Sequence, residues 1–287
     1  WTAGIGFQAG VEKLGAMAIP MGPGNTEKQL QLMVDLQSTA IVATSSYALL
    51  LAEEICKRKL RSNIRLNKAI LGSERWGEKM RSRISEELGV ALYDIYGLTE
   101  IYGPGISISC GCNNGLHYWD DYFYFEIIDA QTGENVKDGE WGELVITTLT
   151  KEGAPLIRYR TRDITRLLEG ECSCGLAYPR HDPIMGRTDD MIKIKGVNIY
   201  PGQIEDVLKN FEGTSCEYQI VLDRNDAKDS MLLRFEKQAG FEKASLELAV
   251  KKYFKTKIGI VITTQALDIG ELPRSEKKTA RIIENRY

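Results

Sequence analysis

The sequence predicts an α/β chain in which a parallel sheet with packed helices leads into a β-rich region, followed by a small α+β domain. Three observations carry this. Between residues 25 and 96, short β-branched runs alternate with stretches whose apolar residues recur at helical spacing, the pattern of a mostly parallel sheet. From Ile106 to Arg166 β-branched and aromatic residues dominate, with turns at Gly133 and Asp138-Gly139. Past Gly186 comes a strand, a helix, two pairing strands, a helix and a last strand, over about 100 residues, the size of a module.

Taken in order, Asn25-Thr26-Glu27 caps a helix carried by Leu30, Met33, Val34 and Leu36. A strand over 39–43 precedes a helix opened by Ser45/Ser46 and carried by Leu49, Leu50 and Ile55. Residues 68–71 read as a buried strand; Met80, Ile84 and Leu88 mark a helix closed by Gly89, and 90–96 as the next strand. Strands over 122–128 and 143–149 follow. In the last region the pattern predicts strands at 191–195, 218–222, 231–235 and 260–264. Its helices fall near 203–210 and around Leu246, Leu248, Val250, Tyr253 and Phe254.

Hydrophobic residues make up 43% and charged residues 27%, so a sizeable core can form and wholesale disorder is excluded. Thirty-seven Lys+Arg against 40 Asp+Glu give a net charge of −3, which argues against a general nucleic-acid binder. The longest apolar stretches, near 39–43 and 47–52, are too short to span a bilayer. The first residue is Trp1 and no signal peptide is visible, so the natural N-terminus is expected to lie upstream. Six cysteines are too few for a disulfide scaffold, and the pairs Cys110/Cys112 and Cys172/Cys174 favour metal over disulfide. Cys56 and Cys216 read as packing residues, and a reducing cytoplasm is the expected setting.

Three motifs carry chemistry. Tyr96-Gly97-Leu98-Thr99-Glu100 follows a strand, at the edge where open α/β sheets place ligands. Its aromatic, glycine, hydroxyl and carboxylate suit a base, a phosphate and Mg²⁺; the plainer reading is a turn with a solvated Glu. In Tyr159-Arg160-Thr161-Arg162-Asp163 the acid suits ribose hydroxyls, or else a surface ion pair with Arg160 or Arg162. The run from Gly186 through Arg187, Asp189 and Gly196 to Pro201 falls where the texture changes, as a hinge would.

These motifs in this order resemble the adenylate-forming superfamily of acyl-CoA synthetases, adenylation domains and luciferases, and within it the phenylacetate–CoA ligase family. The likeness extends through Glu12-Lys13-Leu14-Gly15-Ala16, Gly24-Asn25-Thr26-Glu27, Gly72-Ser73-Glu74-Arg75-Trp76, Gly103-Pro104-Gly105, Gly115-Leu116-His117, Pro155-Leu156-Ile157-Arg158 and Leu272-Pro273-Arg274-Ser275-Glu276. The resemblance implies that 1–188 form the C-terminal part of an AMP-binding domain with a β-rich zinc-binding region, and 189–287 a mobile C-terminal lid. It implies ATP-dependent activation of an aryl carboxylic acid to an acyl-adenylate, then transfer to CoA, with release of AMP and pyrophosphate.

By the same resemblance Ser73, Glu74 and Tyr96 line the adenine pocket, Thr99 contacts phosphate and Glu100 holds Mg²⁺. Asp163 and Arg187 take the ribose hydroxyls, Asp189 is the pivot, and Gly196, Val197 and Asn198 face CoA. A near-C-terminal loop supplies the catalytic Lys278, although Lys277 stands where the family usually has Gly. The family's phosphate loop has no match, since Gly4-Ile5-Gly6 lacks its hydroxyls and Lys, so the sequence is expected to be a fragment that does not adenylate by itself. Cys110, His117, Cys172 and Cys174 make a structural Zn²⁺ set, with Cys112 and His181 as competing ligands and free thiols as the plainer reading. Trp1, Tyr47, Trp76 and Tyr102 are candidates for an aryl pocket, although such clusters are more often core. Expected partners are the aryl acid, ATP and CoA, with neither nucleic acid nor membrane; a homodimer stays open. Two other readings remain, adenylation with handover to a carrier-protein thiol and a non-catalytic nucleotide- or partner-binding module.

Overall fold

The computed structural model describes residues 2–194, 197–225, 228–274 and 281–286. They form two compact units. One runs to Arg75 and resumes from Ile84 to Asp189; the other joins Trp76–Arg83 to the residues from Asp190 onward.

The first unit opens with α1 (Thr2–Lys13) and α2 (Thr26–Asp35), the latter capped by Asn25, whose side chain accepts the Lys28 amide. β1 (Ala40–Thr44), α3 (Ser45–Lys57), β2 (Lys68–Gly72), α4 (Glu78–Leu88) and β3 (Ala91–Leu98) follow in alternation along the chain, the residues of α4 up to Arg83 grouping with the second unit. The cap of α3 is Thr44 rather than Ser45 or Ser46, because its Oγ1 accepts the Tyr47 amide and leaves the serines inside the first turn. β1, β2 and β3 run parallel, as the alternation requires.

Past β3 the same sheet turns antiparallel through β4 (Gly103–Ser109) and β5 (Leu116–Tyr118). A separate antiparallel sheet holds β6 (Phe123–Ile128), β7 (Gly142–Thr148) and β8 (Tyr159–Thr165). The short strands β9 (Leu167–Leu168) and β10 (Arg180–His181) complete the first sheet, and β11 (Gly186–Arg187) pairs with β8. Ile106, Tyr118, Phe125, Ile127, Leu144 and Ile146 bury against one another beneath this β-rich region.

The second unit contains the hairpin β12 (Ile192–Ile194) and β13 (Val197–Ile199), then α5 (Pro201–Leu208). β14 (Thr214–Asn225), β15 (Lys228–Lys237), α6 (Lys243–Ile258), β16 (Thr263–Asp268) and β17 (Ile282–Glu284) follow. Its sheet runs β16-β15-β14-β17, with Phe235, Ile220, Leu233, Val250 and Phe254 fully buried. The expected last strand is displaced: Ile260 and Ile262 are buried core residues, while pairing starts at Thr263 opposite Leu232. No helix among the described residues is long and apolar enough to cross a membrane.

Candidate active site and metal cluster

β3 is the last parallel strand, and its carboxyl end opens into the turn that carries Thr99 and Glu100. Gly97 is obligatory in this turn, since a Cβ there would lie 2.4 Å from the Gly103 carbonyl oxygen. Thr99 and Glu100 are exposed, and the Glu100 carboxylate lies near the Tyr159 side chain. Burial, with the Glu100 charge nearby, raises the Tyr159 phenol above its ordinary value.

Asp163 is 5% exposed on β8. Its Oδ2 accepts a 2.5 Å hydrogen bond from the Tyr96 hydroxyl, and its Oδ1 lies 3.4 Å from Arg187 Nη1 on the neighbouring strand β11. Burial and the Asp163 charge push the Tyr96 phenol well above its usual range, so it remains a donor. Arg187 also grips Asp189 through Nε at 2.8 Å and Nη2 at 2.9 Å, and Arg162 adds a 3.1 Å contact. These guanidinium contacts hold the Asp189 carboxyl down at about 2. Arg160 instead pairs with the buried Glu143 at 2.6 Å, so the cation facing Asp163 comes from β11 rather than from its own motif.

Tyr96, Asp163, Arg187 and Asp189 therefore form one connected network. Glu74 is placed differently: its carboxylate accepts the Ser46 amide at 3.0 Å and faces the Ser45 hydroxyl at 3.3 Å, capping α3. Ser73 beside it sits at φ 67°, and the Arg75 side chain donates to the Met185 carbonyl just before β11. Val197 and Asn198 lie on β13, with Asn198 exposed; Gly196, Lys277, Lys278 and Trp1 fall outside the described residues. Tyr47 and Trp76 are buried core residues, whereas Tyr102 is exposed against Phe123 and Tyr122.

The four proposed metal ligands converge. The donor atoms of Cys110, His117, Cys172 and Cys174 all lie within 4.8 Å of one another. Cys110 and Cys172 Sγ are 3.6 Å apart and Cys174 Sγ is 3.4 Å from His117 Nε2, close to the roughly 3.5–3.8 Å edges of a tetrahedral Zn²⁺ site. His117 Nδ1 is 2.8 Å from the Tyr178 carbonyl, which can only accept, so the proton is on Nδ1 and Nε2 keeps its lone pair for a metal. The Cys174 amide draws the Cys172 thiol down to about 6, whereas burial pushes Cys110 up to about 11. Donor chemistry and spacing both fit zinc.

The two competing ligands go elsewhere. Cys112 is exposed and meets the Ser173 hydroxyl. His181 is fully buried, donating from Nδ1 to the Asp182 carbonyl at 2.7 Å and accepting at Nε2 from Ser107 at 2.7 Å. Its ring meets Tyr96 edge-on at 5.7 Å, and burial lowers it to about 4. Cys56, expected to pack, is exposed on α3. Arg180 was not singled out by the sequence, because an arginine between Pro179 and His181 matches no spacing pattern, and Tyr159 was quoted in its motif without a role of its own.

Comparison with known proteins places these features. Residues 196–286 match the sequence model of the AMP-binding enzyme C-terminal domain. A crystal structure of 2-hydroxyisobutyryl-CoA ligase in the postadenylation state, in complex with 2-HIB-AMP, superposes with a TM-score of 0.87 at 29% identity, covering 100% of this chain and 63% of that one. The architecture is thus that of the adenylate-forming CoA ligases. The phenylacetate-coenzyme A ligase of Escherichia coli K12 is 40% identical over 300 residues, covering 100% of this chain and 67% of that protein. That of Thermus thermophilus is 39% identical over 307 residues, covering 100% and 69%. The chain belongs to the phenylacetate–coenzyme A ligase family, and spans about two thirds of the length of these relatives.

Proposed function

We propose that this sequence serves an AMP-forming acid–thiol ligase that activates an aryl carboxylic acid with ATP and passes the acyl group to CoA. The observation that carries the reading is the buried Asp163 carboxylate, held between the Tyr96 hydroxyl and Arg187 beside the end of the parallel strands. A nucleoside suits this arrangement: ribose hydroxyls donate to Asp163, Arg187 balances its charge, and the Tyr96 ring offers an apolar face to the base. Glu74, occupied as a cap, contributes to the adenine pocket through its backbone together with Ser73. Thr99 offers a hydroxyl to phosphate. Glu100 offers an exposed carboxylate, the donor type that Mg²⁺ takes together with substrate phosphates, and the ion when bound neutralises phosphate charge.

Asp189, at the junction of the two units, is the pivot between adenylation and thioester formation, and Gly196, Val197 and Asn198 take the CoA arm. Lys278 supplies the positive charge at the α-phosphate. The Cys110, His117, Cys172 and Cys174 set holds structural zinc, because four protein donors leave no open position for chemistry. A cysteine set gathered for metal rather than for disulfides suits a reducing cytoplasm.

The test is pyrophosphate release from ATP and phenylacetate by the full-length protein, with AMP and CoA titrated separately. Phenylacetate-dependent release with aryl-CoA formation is expected. Release without CoA use would point to a carrier-protein thiol. No release and no AMP binding would overturn the reading in favour of a non-catalytic module.

A further inference from the structure

Arg180 is 4% exposed and sits on β10 directly opposite the candidate ligand His117 on β5. Nη1 donates to the Asn114 carbonyl at 2.8 Å, in the loop between Cys110 and His117. Nη2 donates to Gly170 at 3.0 Å and Glu169 at 3.3 Å, in the segment leading to Cys172. Among the described residues its guanidinium meets carbonyl oxygens and no carboxylate. A buried cation without an anion is costly, and carbonyl dipoles compensate only part of that cost.

Across the strand pair from Arg180 stands His117, one of the four candidate zinc ligands. Zn²⁺ bound by three thiolates and a neutral imidazole carries one net negative charge. We propose that Arg180 is the counter-ion of the Cys110/His117/Cys172/Cys174 centre, tying together the two loops that carry its thiolates while cancelling the charge that the loaded site acquires. In a poorly screened interior this charge balance raises zinc affinity directly. The inference rests on the zinc reading above and concerns a positioning residue, not a ligand.

The test measures zinc affinity of the chain by competition with a chromophoric chelator, for wild type, Arg180→Gln and Arg180→Lys. Loss of a partner outside the ligand set typically weakens metal binding roughly 10- to 100-fold, and Arg180→Gln is expected in that range. Arg180→Lys keeps the charge but loses the forked contacts, so it should lose clearly less than Arg180→Gln and stay within about tenfold of wild type. Equal loss in both variants, or loss in neither, overturns the counter-ion role. If Arg180→Gln does not fold, Arg180→Lys decides: affinity within about tenfold of wild type supports the role, and a larger loss overturns it. A wild-type chain that neither contains zinc nor takes it up removes the metal reading itself and the inference with it, an outcome distinct from any difference between variants.

Discussion

Replacing Asp163 by Ala removes the acid on which the nucleotide reading turns, and the structure separates two consequences. In the bound state the ribose loses charge-assisted hydrogen bonds worth about 1.5–3 kcal/mol each. Part of this is offset, because Arg187 keeps Asp189 as a partner at 2.8 Å. A net loss of roughly 1–3 kcal/mol follows, or about 5- to 150-fold in AMP affinity. In the free protein the Tyr96 hydroxyl loses its acceptor at 2.5 Å, and the neighbouring Thr161 hydroxyl already donates to the Leu144 carbonyl. The stability cost should therefore fall in the range for a buried donor left without its acceptor, about 1–3 kcal/mol. Calorimetric titration with AMP reads the first effect and thermal unfolding the second. A variant that melts earlier yet binds AMP as wild type would refute the ribose role and leave Asp163 a purely structural acid.

The other predictions follow from the same geometry. Elemental analysis of protein purified without chelator should find about one zinc per chain, lost in Cys174→Ser together with thermal stability; zinc retained in that variant would show the ligand set to be wrong. In the full-length protein Lys278→Ala should abolish adenylation and spare thioester formation from supplied acyl-adenylate, measured by pyrophosphate exchange and CoA-thioester yield; the same selective loss in Lys277→Ala would move the role one residue upstream. His181 falls from 6.5 to about 4 on burial, so the unfolded chain binds more protons between those values. Its contribution to stability, full above pH 6.5, is lost as pH drops toward 4. Thermal melts of His181→Gln should show a flatter dependence across that window, and an unchanged slope would contradict the assignment.

Local signals explain what was legible. The Asn25 cap, the periodic apolar faces of α2 and α3 and the parallel run β1 to β3 follow from side-chain spacing alone. The strands of the second unit were harder to delimit. β14 begins at Thr214 and includes a buried Glu217, so a search for apolar runs finds only its middle. The four metal-ligand candidates were legible as a group, whereas the residues around Asp163 were legible as types and not as hydrogen-bond partners. Which cation faces Asp163 depends on β11 pairing with β8, a register that no sequence spacing encodes. Cys56 shows the converse, since an apolar neighbourhood along the chain did not bury it. Arg180 was invisible because its importance lies in the carbonyls it reaches across two loops.

β10 is only two residues long, yet the pleat sends its side chains to opposite faces. Arg180 looks toward the cysteine loops, while His181 enters the aromatic cluster of Tyr96, Tyr118 and Phe125. A single-residue insertion or deletion between 178 and 182 would exchange the two faces, driving a cation into the aromatic cluster and an imidazole toward the cysteines. The exposed turn around 130–134 faces no such constraint. Within this family, length variation should therefore accumulate in that turn and be purged from the dipeptide's flanks, which makes β10 a fixed point for aligning distant members whose identities have otherwise drifted.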